Sequence, residues 1–146
     1  MDTQQLLTII EAILDISKTA VLITADSQGN PHARWMTPTV LKYRPGAIFA
    51  FSVPDTLKLK NIEANPRVEW LLQNPNLTRV INIIGRARVI DNPSFKTELM
   101  DILGSSLAVF WKANSGKDDF VIIETVIEEA VYLEPMTGLR EAVKFT

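Results

Sequence analysis

The feature that most narrows the fold is a series of short β-branched runs broken by turn residues. The stretches "TAVLITA" (19–25), "AIFAFSV" (47–53), "RVEWLLQ" (67–73), "TRVINIIGRARVI" (78–90), "DFVIIETVI" (119–127) and "EAVYLEPM" (129–136) each read as a strand. "ARWMTPTVLKY" (33–43) reads as a hairpin partner of 19–25 across the turn "DSQGN" (26–30), and "RPG" (44–46) turns the chain again. Gly85, in mid-strand, predicts a bulge or a sharp bend. Three helical segments interrupt the strands. Residues 2–17 put Leu6, Leu7, Ile10, Ile13 and Leu14 on one stripe, with Asp2 or Thr3 as cap and Gln5 placed to reach back. A second helix spans roughly 55–64. A third begins at Asn92-Pro93-Ser94 with Phe95, Leu99, Ile102 and Leu103 as its apolar face. Residues 105–117 read as irregular, and the tail 137–146 signals weakly. Six or seven strands at short spacing with about three helices predict a mainly β, α+β antiparallel barrel forming a single domain over 1–146.

The totals remove whole classes of function. A hydrophobic fraction of 47% supports a sizeable core in 146 residues. The net charge of −2 leaves no footprint for nucleic acid or an anionic membrane. No apolar run reaches the roughly 20 residues that span a bilayer. With no cysteine there is no disulfide, thiolate nucleophile or cysteine-held metal. "MDTQQ" has no basic segment ahead of an apolar run, so no signal peptide is expected and the expected location is the cytoplasm.

Side-chain chemistry is sparse. His32 is the only histidine and lies in "GNPHAR", which reads as a turn. No histidine cluster or spaced carboxylates predict a metal site, and neither a GxGxxG nor a Walker loop is present. Any redox chemistry therefore falls to a cofactor. Two stretches offer an anion a place. In "FSVPDTLKLKNIEANPRVEWLL" (51–72) a strand hands over to a helix whose first turn carries Thr56 and Lys58. Free N–H groups and the helix dipole favour an anion there. The alternative is that Asp55 or Thr56 caps the helix and Lys58 is solvated. In "PHARWMTP" (31–38) strand alternation puts Arg34, Met36 and Pro38 on one face and Trp35 and Thr37 on the other. An inward arginine needs an anionic partner. That partner is either one of the 17 acidic residues or a phosphate shared with Lys58.

These segments in order resemble the pyridoxamine 5′-phosphate oxidase-like, FMN-binding split barrels, and more narrowly the bacterial general stress protein branch. The resemblance covers about residues 3–136. It rests on a leading helix, "VLITADSQGNPHARWMTP", "IFAFSVPDTLKLKNIEANPRVEWLL", "VINIIGRARVI" and "FWKANSGKDDFVIIETV". It implies a homodimer holding FMN in grooves at the subunit interface. Arg34 would contact the phosphate or ribityl chain. Main-chain groups of Met36 and Thr37 would lie along the flavin ring, with Phe51 and Ser52 beside it. Thr56 and Lys58 would bind the phosphate. Trp111 matches an aromatic that approaches the flavin from the partner subunit, or else is a core or interface tryptophan.

The departures from the family pattern bear on activity. The true oxidases hold their substrate with basic residues and a histidine in a C-terminal segment, and "TGLREAVKFT" has no histidine. Stress-protein relatives carry Tyr-Trp-Asp where this chain has Tyr132-Leu133-Glu134. Some oxidases place a glutamine near the position of Val80. The resemblance therefore implies an FMN-dependent oxidoreductase of the stress response, using NAD(P)H or another small molecule, rather than a pyridoxamine phosphate oxidase. The alternatives are a non-catalytic flavin-binding or sensing protein, and a split barrel using a deazaflavin or heme.

Overall fold

The computed structural model describes residues 1–103 and 119–145. Its first element, α1 (Thr3–Ser17), starts at a capping box. The Asp2 carboxylate accepts from the Gln5 amide at 2.8 Å, and the Gln5 side chain accepts from the Asp2 amide at 2.8 Å. Leu6, Ile10, Ile13 and Leu14 form its buried stripe. The helix ends at Lys18, whose φ of 63° is left-handed.

Seven antiparallel strands follow: β1 (Ala20–Ala25), β2 (Pro31–Met36), β3 (Ala47–Ser52), β4 (Arg67–Gln73), β5 (Val80–Ile90), β6 (Val121–Glu134) and β7 (Leu139–Lys144). Their order is β2-β1-β4-β5-β6-β3, with β7 also paired to β6. Beyond β2 the chain returns to the far edge. Thr39 and Phe49 exchange two backbone hydrogen bonds, 2.8 and 2.9 Å, so one bridge joins the two ends of the sheet. The result is a split β-barrel: the strand pattern predicts an antiparallel barrel, and the resemblance implies the split form.

The barrel interior is filled by Leu22, Trp70, Leu72, Ile81, Ile83 and Ile123, all inaccessible to solvent, and α1 packs on it. Trp70 satisfies its indole N–H by donating to Thr125 Oγ1 at 3.0 Å. β3 is buried on both faces. Ile48 and Ala50 join the barrel core, whereas Phe49 and Phe51 join a second cluster with Phe95 and Leu99 of α3 (Pro93–Leu103). α2 (Leu57–Ala64) connects β3 to β4 and packs against β1 and β5.

Five local expectations are corrected. β2 stops at Met36 rather than running to 43, because Pro38 has no N–H to give the ladder. Thr37 is therefore buried along with Met36, where strict alternation would turn it outward. The two strands expected at 119–127 and 129–136 are one strand. Ile127 pairs with Gly85 and Glu129 with Ile84, so Glu128 is the extra residue of a bulge opposite Gly85. The weakly signalled tail forms β7 along the second half of β6. Ile102, placed on the apolar face of α3, is 51% exposed.

Candidate functional site

Strand pairing sets the position of Arg34. It lies opposite Leu22 in the β1–β2 ladder, on the face that leads inward to Met36. Its Nη1 donates to three acceptors: Thr24 Oγ1 at 2.9 Å, the His32 carbonyl at 3.1 Å and the Leu22 carbonyl at 3.2 Å. The guanidinium is thus fastened to the barrel by one nitrogen. No carboxylate among the described residues pairs with it, so among them the salt bridge weighed above does not form. Burial presses on its charge, lowering its pKa from the ordinary arginine value.

The helix start faces the same charge. Asp55 has a left-handed φ of 60°, a conformation aspartate tolerates better than most residues. That turn delivers Thr56 to the N-cap of α2 with extended backbone. Its hydroxyl does not cap the helix, and Thr56 Oγ1 is buried without a hydrogen-bond partner. Thr37 Oγ1 is orphaned in the same way. A buried hydroxyl with no partner costs about 1–3 kcal/mol, so each invites a ligand atom. Lys58 is half-buried and has no carboxylate partner among the described residues. Burial first, and the Arg34 charge second, lower its pKa below the ordinary lysine value. Two cations close enough to repel, beside an orphaned hydroxyl and the free amides of a helix start, are arranged for a multiply charged anion. Lys58 thus lies near enough to Arg34 to feel its charge, and donors of this kind would suit a phosphate.

The other expected residues divide. Phe51 and Ser52 are buried at the end of β3, the strand that leads toward the α2 entrance. Ser52 Oγ donates to the Val53 carbonyl at 3.0 Å, and Phe51 packs edge-on against Phe120 with centroids 4.8 Å apart. Trp111 lies outside the described residues. Two buried residues next to the site, Thr24 and Asn61, escaped sequence reasoning. Thr24, 1% exposed, receives hydrogen bonds from both Arg34 and Asn61. A threonine ending the inward row Ala20-Leu22-Thr24 was the available signal. His32 is the second residue of β2 rather than part of a turn, and its Nε2 lies 3.2 Å from Asp26. The Asn30 backbone N–H, donating to the Asp26 carboxylate at 2.9 Å, is the largest cause that lowers the Asp26 pKa to about 2.

A groove of about 560 Å³ runs between α1 and residues 40–47. None of the anion-facing residues lines it, and it carries the carboxylates of Glu11 and Asp15. It is a separate feature. Among the described residues no cluster of histidine or acidic side chains could hold a metal, and no helix is long and apolar enough to cross a membrane.

The family model described as pyridoxamine 5′-phosphate oxidase matches residues 8–134. The chain belongs to that family. Among solved structures it is similar to general stress protein 26 of Bacillus anthracis str. Sterne, at 20% identity over 97% of this chain and 99% of that one, with a TM-score of 0.70. It is also similar to a FAD-binding protein of Mesorhizobium loti, at 18% identity over 83% of this chain and 88% of that one, TM-score 0.67. A third, a heme binding protein from Mycobacterium smegmatis, shares 15% identity over 92% of this chain and 55% of that one, TM-score 0.71. At these identities the likeness is one of fold. No curated protein matches. Family membership and the fold agree with the resemblance drawn from the sequence segments.

Proposed function

We propose that this family member is an FMN-binding flavoprotein, acting as an oxidoreductase in the cytoplasm, with a role in the stress response. The observation that carries the reading is the convergence of Arg34 and Lys58, neither paired with a carboxylate among the described residues, beside the buried unpartnered hydroxyl of Thr56. That set fits a terminal phosphate better than a neutral ligand. When bound, the flavin would supply the electron- or hydride-accepting chemistry that the side chains lack. Arg34, Thr56 and Lys58 would hold the phosphate, and Met36, Thr37, Phe51 and Ser52 would flank the ring. Trp111 would approach the ring from a partner subunit. NAD(P)H or another small molecule would serve as reductant or substrate.

A homodimer belongs to the same proposal. Trp35 (54% exposed), Tyr43 and Val126 are large apolar side chains left at the surface, as expected of faces awaiting a second copy. A monomer at micromolar concentration in sedimentation would remove the partner's share of the site. Heme is disfavoured because the single histidine, His32, is engaged with Asp26.

The deciding experiment titrates apo-protein with FMN, FAD, a deazaflavin and heme. Tight uptake of FMN, bleached by NADH or NADPH, supports the oxidoreductase. FMN uptake without bleaching supports a binding or sensing protein. Preference for a deazaflavin or heme, or no uptake, refutes the assignment.

The lysine adds a pH signature. A bound phosphate would raise the Lys58 pKa above its lowered value in the free protein. FMN affinity is then fully present below the free-protein pKa and falls as pH rises through it, by at most tenfold per pH unit. Lys58→Met should erase that limb of the pH profile. An alkaline limb of unchanged size in Lys58→Met would assign it to another group.

A further inference from the structure

We propose that Thr24, held in turn by Asn61, is a positioning residue that aims Arg34 at the phosphate and latches the strand half of the site to the helix half. The inference rests on the flavin-phosphate reading above. Thr24 and Asn61 are 1% and 3% exposed, among the few buried polar residues of the barrel. Thr24 Oγ1 accepts from Arg34 Nη1 at 2.9 Å and from Asn61 Nδ2 at 3.1 Å. A hydroxyl oxygen has two lone pairs, so both donors are served by one atom.

The geometry divides the guanidinium by function. Nη1 carries two hydrogens and faces three acceptors within 3.2 Å, so it is spent on the barrel. Nη2 and Nε meet no acceptor among the described residues. They are left for a ligand. Asn61 stands three residues after Lys58 on α2 and so shares its side of the helix. The chain of contacts therefore runs from the lysine-bearing helix through Asn61 and Thr24 to the arginine-bearing strand. It spans β1, which lies between them in the sequence of packing. Arg34 and Lys58 repel each other while the site is empty. A buried latch opposes that repulsion and keeps both donors in place before a ligand arrives. Preorganisation of this kind raises affinity without adding a contact.

The test is fluorescence titration of apo-protein with FMN and with riboflavin, which has the ring and ribityl chain but no phosphate. Thr24→Val keeps the shape of the side chain and removes the shared acceptor. It should weaken FMN binding by roughly five- to tenfold, the effect of about one hydrogen bond, and leave riboflavin within about twofold. Thr24→Ser restores the hydroxyl and should restore FMN affinity, whereas Asn61→Leu should follow Thr24→Val. Combined with Arg34→Ala, Thr24→Val should add no further loss, because it acts through that arginine. Unchanged FMN affinity in Thr24→Val, equal weakening of both flavins, or losses that add to those of Arg34→Ala would each overturn the latch. Failure of Arg34→Ala itself to discriminate FMN from riboflavin would overturn the phosphate reading and the latch together. Discrimination lost in Arg34→Ala but intact in Thr24→Val would overturn the latch alone.

Discussion

Lys58→Ala and Arg34→Ala are each expected to weaken FMN binding by roughly ten- to a hundredfold while barely changing riboflavin binding. A hydrogen bond to a charged group contributes about 1.5–3 kcal/mol, and about 1.4 kcal/mol is a factor of ten in affinity. The neighbouring cation would not compensate, because in the proposed site the orphaned Thr56 hydroxyl and the helix amides would hold the phosphate where both charges reach it. Lys58→Ala also relieves a repulsion felt by Arg34, so its thermal stability should not fall. Arg34→Ala gives up three hydrogen bonds to the barrel, and its melting curve must be read beside its affinity. Lys144→Ala, on the exposed side of β7, is the control and should change nothing. Equal losses for the two flavins would place both residues in folding or in ring contacts and dismiss the phosphate.

Gly85→Ala should be among the most damaging single-methyl changes in the protein. A Cβ at this position would press into the backbone carbonyl oxygen of Val126 and stand 3.0 Å from the Thr125 methyl group. A flexible side chain could swing away, but a ladder carbonyl cannot move without opening the bulge at Glu128. Overpacking typically costs 1–3 kcal/mol, and rigid backbone puts this site at the upper end, about 3 kcal/mol. That corresponds to a fall in melting temperature on the order of 10 °C. Denaturant unfolding of the variant is the measurement, and a loss below about 1 kcal/mol would mean that the two strands have slack at this crossing.

Much of this fold was legible because periodicity reports burial directly. α1 follows from its apolar stripe and the Asp2–Gln5 box, and the early strands from β-branched runs between turn residues. The misreadings have identifiable causes. Glu128 and Glu129 look like a break, yet a bulge absorbs one of them and the strand continues. β7 buries only Val143, so no alternation announces it and pairing with β6 defines it. Apolar residues after Met36 extended β2 on paper, where Pro38 ends the ladder. At the site, a partly inward arginine was informative because buried charge demands a partner. Thr24 and Asn61 were silent, since a strand threonine and a helix asparagine look ordinary until their hydrogen bonds are seen.

The position of β6 in the chain has a consequence for synthesis. This strand pairs with β5 along its length, with β3 on its first half and with β7 on its second, so it joins the two sides of the barrel. It begins only at Val121. While the ribosome is still adding the preceding residues, β5 can pair, among the described residues, only with β4, and β3 has only its bridge to Thr39. Each exposes an unpaired, apolar edge of the kind that recruits other chains. At about 5–20 residues per second that interval lasts seconds, and it ends only when β6 leaves the exit tunnel. A nascent chain stalled short of Val121 should therefore be a client for holding chaperones, and release of β6 should be the step that sets it free.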